Sequence, residues 1–259
     1  MTDHPADPGP PSDSAGTPWA GRSFVPNEHS ADSGDAPPAL AAAVADFLDG
    51  TAELDAVVDA VRAARLLIPL LAEAGDLGRT EDGRVVDKTQ ELAVVTVAAP
   101  DGRSALPVFS SVEAMRAWNP RARPVPADGV RVALAAAGEG TPLVVLDPST
   151  PAQLTLRRPA VWAIAKGEPW RPPHVNPAVL GILGDSVATE TQVRELRATT
   201  ADPRAQLAGA ELEVSLILDP GLDAAKLNAL LERVTARWYA APVFADQVDQ
   251  VAVKVIPAP

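Results

Sequence analysis

DGRSALPVFSSVEAMRAW, residues Asp101–Trp118, carries a complete strand–helix junction. Asp101-Gly102 is a turn pair, and the apolar run that follows ends at Phe109. Ser110-Ser111-Val112-Glu113 has the spacing of a capping box, with Ser110 as N-cap and Glu113 at the third helical position. Val112, Met115 and Trp118 then recur at helical spacing, which predicts a helix over 111–118. A strand feeding a helix through its own cap predicts a mixed chain, α/β (α+β). Phe109 and Met115 are expected in the core, with Arg121 and Arg123 beyond the helix on the surface.

Upstream, LAVVTVA at about 92–98 reads as the strand paired with this one across the PDGR turn. RLLIPLLA is another strand, and Pro69 within it predicts an edge or bulged position, because proline cannot donate to a ladder. Leu40, Val44, Phe47 and Leu48 share the face of a first helix closed by Gly50. Leu54, Val57, Val58 and Val61 share the face of a second. Downstream, Asp128 is placed to cap a helix, PLVVLDP is a buried strand, AQLTL a short strand and PAVWAIA a short helix.

KGEPWRPPHVNP, residues 166–177, has four prolines and no periodicity, and is read as a linker between domains. Beyond it, TQVRELRA reads as an exposed strand and ELEVSLIL as a buried one. DPGLDAAKLNALLERVTARW reads as a long crossover helix, and QVDQVAVKV as an alternating strand. The expected organisation is two mixed α/β domains, 38–165 and a β-β-α-β domain at 178–259, joined by this proline-rich linker. Residues 1–37 hold seven prolines, six acids and one base, and are expected to form a disordered tail.

The net charge of -12 is distributed along the chain, so no domain carries the positive footprint that phosphate binding needs. Nucleic acid and membrane are therefore not expected partners. No apolar run approaches the roughly 20 residues of a bilayer span, and the acidic start lacks a signal peptide's h-region, so the expected compartment is the cytoplasm. Without cysteine there is no thiolate nucleophile and no cysteine-held metal. His4, His29 and His174 all lie in segments read as tail or linker. No phosphate loop, dinucleotide fingerprint or nucleophile elbow occurs. The expectation is a protein without catalytic residues, metal or cofactor.

Two readings of function remain. One is a non-enzymatic regulatory or protein-interaction module. The other is a sensor for a small anionic ligand, an amino acid or other carboxylate. Either would use Trp118, Arg121 and Arg123, with Lys88 and Arg103 from neighbouring loops, because arginine beside tryptophan is a common recognition composition. The same arginines also suit the last carbonyls of the preceding helix. The sequence leaves homo-oligomerisation open.

The stretches LLIPLLAE, DKTQELAVVTVAAPDGRSALPVFSSVEAMRAWNPRARPVP and PLVVLDP resemble the N-terminal domain of SseB family proteins, in the form found in high-GC Gram-positive bacteria. ELEVSLILDPGLDAAKLNALLERVTARW through VDQVAVKVIP resembles the companion C-terminal domain more loosely. The resemblance spans roughly residues 52–165 and 178–257. It implies a two-domain cytoplasmic protein of a family named for enhanced serine sensitivity, with no established enzymatic activity and no agreed site residues.

Overall fold

The computed structural model describes residues 32–72, 77–79, 85–87, 92–138 and 140–259, without side chains between 72 and 94. The tail expected over 1–37 lies outside the described residues as far as position 31. Its last residues belong to the folded unit, which runs from Gly34 to Pro259. Gly34 O accepts from Val112 N at 2.8 Å, and the Arg65 guanidinium donates to Asp35 O.

The junction at Phe109 is built as a strand and a helix, with the cap one residue later than expected. β6 (Ser104–Val108) leads into α3 (Val112–Trp118), whose N-cap is Ser111, its Oγ accepting from Ala114 N at 3.1 Å. Ser110 is instead held by Asp147: its N donates to Oδ1 at 2.7 Å and its Oγ to Oδ2 at 2.6 Å. Burial raises the Asp147 carboxyl pKa, and these two hydrogen bonds oppose the rise. Phe109 and Met115 are fully buried, as the periodicity predicts.

Two sheets meet here. β1 (Arg65–Ala72) pairs antiparallel with β7 (Arg123–Asp128) on one side and β4 (Leu92–Val94) on the other. β5 (Val97–Ala98), β6, β8 (Leu143–Leu146) and β9 (Leu154–Leu156) form the second sheet. The single strand expected over 92–98 is thus divided between the two sheets. β1 is also flanked on both sides, contrary to the edge position expected from Pro69. Leu67 exchanges both backbone hydrogen bonds with Phe109, so residues 67, 69 and 71 turn their amides to that side. Pro69 falls between the Phe109 bridge and the β4 ladder, which begins at Leu70. No donor is needed there.

Helices α1 (Pro38–Leu48), α2 (Leu54–Ala63), α4 (Gly129–Gly138) and α5 (Arg158–Lys166) bury Leu40, Val57, Val58, Val132, Val161 and Ile164 against Leu106, Val108, Val144 and Leu156. Gly129 is required where α4 starts, because a Cβ would stand 1.8 Å from Val61 O. β2 (Leu77–Arg79) and β3 (Val85–Asp87) form a separate hairpin.

After the proline-rich segment the order is α6 (Pro177–Val187), β10 (Val193–Thr199), β11 (Leu212–Leu218), α7 (Ala224–Ala240), α8 (Pro242–Gln247) and β12 (Val251–Pro257). The β-β-α-β order is present, with α6 and α8 added. Gly181 and Gly184 weaken the helix signal of α6. It forms because Asn176 caps it and because Val179 and Leu183 pack into the same core as Trp238, whose Nε1 donates to Ser186 Oγ at 2.7 Å. β11 and β12 are parallel, with α7 and α8 in the crossover. Val251, Val253 and Val255 lie in register with Leu212, Val214 and Leu216. Val253 and Val255 nonetheless stay 37% and 38% exposed, because β12 is the sheet edge.

The segment 166–177 does more than connect. Trp170 is 5% exposed and belongs to the first half's core. The loop between β10 and β11 also returns to that half: Ala205 joins the same core, and its carbonyl accepts from Thr155 N at 2.6 Å.

Candidate functional site

The charged centre of the protein forms where β9 gives way to α5. Arg157 is the N-cap residue of α5, in extended conformation, and is 4% exposed. Its guanidinium donates to Asp202 Oδ2 at 2.7 Å, to Gly209 O at 2.6 Å and to Gln250 Oε1 at 3.0 Å. Asp202 is equally saturated. Its Oδ1 accepts from Gln206 N and Ala208 N, and its Oδ2 accepts from Leu207 N as well as from Arg157. This carboxylate therefore shapes the whole loop from 202 to 209. Ala205 and Leu207 adopt left-handed backbone within it, at φ 50 and φ 59. A Cβ at Gly209 would stand 2.4 Å from Ala201 O.

Asp249 adds a second clasp. Arg103 grips its carboxylate with both terminal nitrogens, at 3.0 and 2.9 Å, and reaches back to Asp101 through Nε at 2.8 Å. Desolvation alone would lower the Arg103 pKa, but its hydrogen bonds to Asp249 and Asp101 carry it well above the ordinary arginine value.

Beside this network lies a cavity of about 220 Å³. Phe47, Glu53 and Leu54 of the α1–α2 region line it, with Trp170 and His174 of the proline-rich segment and Glu211 at the start of β11. Arg157 and Asp202 form part of the wall. Two buried polar atoms on residues that line it are not satisfied. The Trp170 Nε1 and His174 Nδ1 atoms have no hydrogen-bond partner. Glu211 Oε2 accepts from Asp249 N at 2.7 Å.

Burial raises the Glu211 pKa to about 7; the Asp249 amide and the Arg157 charge pull the other way, while the Asp249 charge adds to the rise. The consequence for stability has a definite sign. Below pH 4.5 the carboxyl is protonated folded or unfolded. Between 4.5 and about 7 the unfolded chain releases the proton while the native state keeps it, so stability falls as pH rises and levels off above 7. Ionising Glu211 in place costs on the order of 3 kcal/mol. Glu211→Gln is expected to remove that loss from urea-unfolding free energies compared between about pH 5 and pH 8. An unchanged pH dependence in the variant would show that another group carries it.

The sequence-based candidates do not gather into one place. Trp118 is half-buried, with its ring centroid 5.3 Å from that of Phe109. Arg121 and Arg123 are exposed, Arg123 beginning β7 opposite Leu70. Arg103 precedes the other end of β6, and its guanidinium is taken by Asp249 and Asp101. Lys88 lies outside the described residues. Arg157, Asp202, Glu211, Trp170 and His174 were not singled out from sequence as site residues. One signal was available: the Arg157-Arg158 pair directly after the apolar LTL strand, where an ordinary strand end would place a turn residue.

Among the described residues no group of three metal-ligating side chains is assembled, and no helix is long and apolar enough to cross a membrane. No curated protein and no solved structure matches the chain. Residues 39–163 match the family described as SseB protein N-terminal domain.

Proposed function

We propose that this is a non-enzymatic regulatory protein of the cytoplasm that senses a small polar molecule held in the cavity beside Arg157. One observation carries the reading: a cavity of about 220 Å³ is lined by residues from both halves of the chain, among them Trp170, His174 and the buried Arg157, Asp202 and Glu211. The volume equals that of about seven waters, the size of a small metabolite. Elements from both halves of the chain contribute to the wall, so occupancy bears on how they are held together.

A thermal-shift screen of small metabolites on the full chain tests this. A ligand at 100 times its Kd stabilises by about 2.7 kcal/mol, and Trp170→Phe should weaken the response. A panel without any shift, or shifts indifferent to Trp170, would end the reading.

A second reading, docking of a protein partner, is favoured by the exposed Val253 and Val255 on the edge strand β12, since an unpaired edge is a template for strand addition. Affinity capture from the native host that recovers only the protein itself would count against it.

A further inference from the structure

An open sheet edge selects its partner through its free amides and its register. We infer that β12 pairs with β12 of a second copy of this chain, antiparallel and about a two-fold axis at Val253, so that two three-stranded sheets become one. This rests on the strand-addition reading of β12 and is independent of the cavity.

Leu212 N donates to Gln250 O and Ala258 N to Leu218 O, so the even-numbered residues of β12 turn their amides to β11. Val251, Val253 and Val255 therefore face outward with N–H and C=O groups unpaired in the ladder, and Pro257, which has no donor, ends the run. The side chains of the same three valines lie on the face of Leu212, Val214 and Leu216. Two other edges are blunted. On β7 the outward positions are Pro124 and Pro126, because Arg123, Val125 and Ala127 turn their amides to Leu70, Ile68 and Leu66 of β1. β10 carries a bulge between Val193 and Glu195 and the exposed charges of Arg194, Glu195 and Arg197.

A two-fold axis at Val253 sets Val253 against its own mate and Val251 against Val255 of the second copy, in pairs that each exchange two hydrogen bonds. Exposed valine then packs on valine along the seam. On the opposite face Lys254 falls against the small Ala252 of the second copy, with Glu213 on the next strand roughly 10 Å away at strand spacing. Neither Lys254 nor Glu213 has an ion-pair partner among the described residues, and the two-fold axis gives each one. Moving the axis to Lys254 would set lysine against lysine, and Val251 against Pro257 with its missing donor. Moving it to Ala252 would need the Asp249 amide, already given to Glu211.

Sedimentation of the full chain tests this. A dimer of the 26.9 kDa chain is expected at micromolar concentration. Val253→Pro removes a central outward donor that the fold itself leaves unpaired, and should weaken dimerisation at least tenfold while the melting curve still shows a folded chain. Lys254→Glu should weaken it too, and Lys254→Glu combined with Glu213→Lys should restore it. The chain has no cysteine, so register is read directly by cross-linking, which decides the case if the proline variant unfolds. Val253→Cys should cross-link on mild oxidation, its Cα facing its mate at about 5.5 Å. Val255→Cys, about 13 Å from its mate at strand rise, should not. A dimer indifferent to Val253→Pro, or cross-linking at Val255→Cys as readily as at Val253→Cys, would overturn the inference. A monomer that captures a different protein through this edge overturns self-pairing alone. A monomer that captures nothing removes the strand-addition reading as well.

Discussion

Asp202→Ala is expected to lower the unfolding free energy by about 3–5 kcal/mol, the range for removing one partner of a buried ion pair. Two losses combine. Arg157, 4% exposed, keeps its charge but loses the carboxylate at 2.7 Å. The amides of Gln206, Leu207 and Ala208 lose their acceptor together. Ala205 and Leu207 then have less to hold them in left-handed backbone, a conformation that costs side-chain-bearing residues free energy. The same loop carries Ala205 into the first half's core and leads through Gly209 to Glu211, so the cavity should open as stability falls. Urea unfolding gives the number. Asp202→Asn keeps the shape and part of the acceptor capacity, and should fall between wild type and alanine. A loss below about 1 kcal/mol for the alanine variant would mean that this pair roughly breaks even against its desolvation, as some buried pairs do.

Phe109→Ala should cost a similar amount, about 3–5 kcal/mol, for a different reason. Its ring is completely buried among Leu67, Met115, Ala122 and Trp118, where the two sheets of the first half meet. Its backbone is pinned by the reciprocal hydrogen bonds to Leu67, so the site cannot collapse onto the space the ring leaves. Emptied aromatic positions in such settings are at the upper end of the range. The expected signature is a lower urea midpoint with an unchanged slope, because the cavity weakens the native state without altering the area exposed on unfolding. A cost near 1 kcal/mol would show that Trp118, half-buried beside it, swings in to fill the gap.

Phe109 and Asp202 also mark what could and could not be read in advance. Phe109 and Met115 announce themselves through local period: strand, cap, then helical spacing in a single stretch. The same logic places the buried strands at Leu143–Leu146 and Leu212–Leu218 and the crossover helix at Ala224–Ala240. It slips where two local choices are nearly equal. Ser110 and Ser111 both suit an N-cap, and only the Asp147 carboxylate, 37 positions away, takes Ser110 out of the choice. Pro69 forbids a donor, but whether a donor was needed there depends on where Phe109 and β4 arrive.

The partner of Arg103 was out of reach of local reading for the same reason. Arg103, Arg121 and Arg123 share one residue type and lie within about twenty positions of one another, yet Arg103 is spent on Asp249, 146 positions away. Composition and period determined this protein's fold class, its acidic surface and the apolar faces of most elements, because those depend on neighbours within a turn of helix or a span of strand. The cavity was decided by tertiary structure alone. Its floor joins Arg157, Asp202 and Glu211, which come from separate elements, and a buried charge is tolerated only where distant partners converge on it. That convergence has no local period, and the Arg157-Arg158 pair after the LTL strand is its one trace in the sequence.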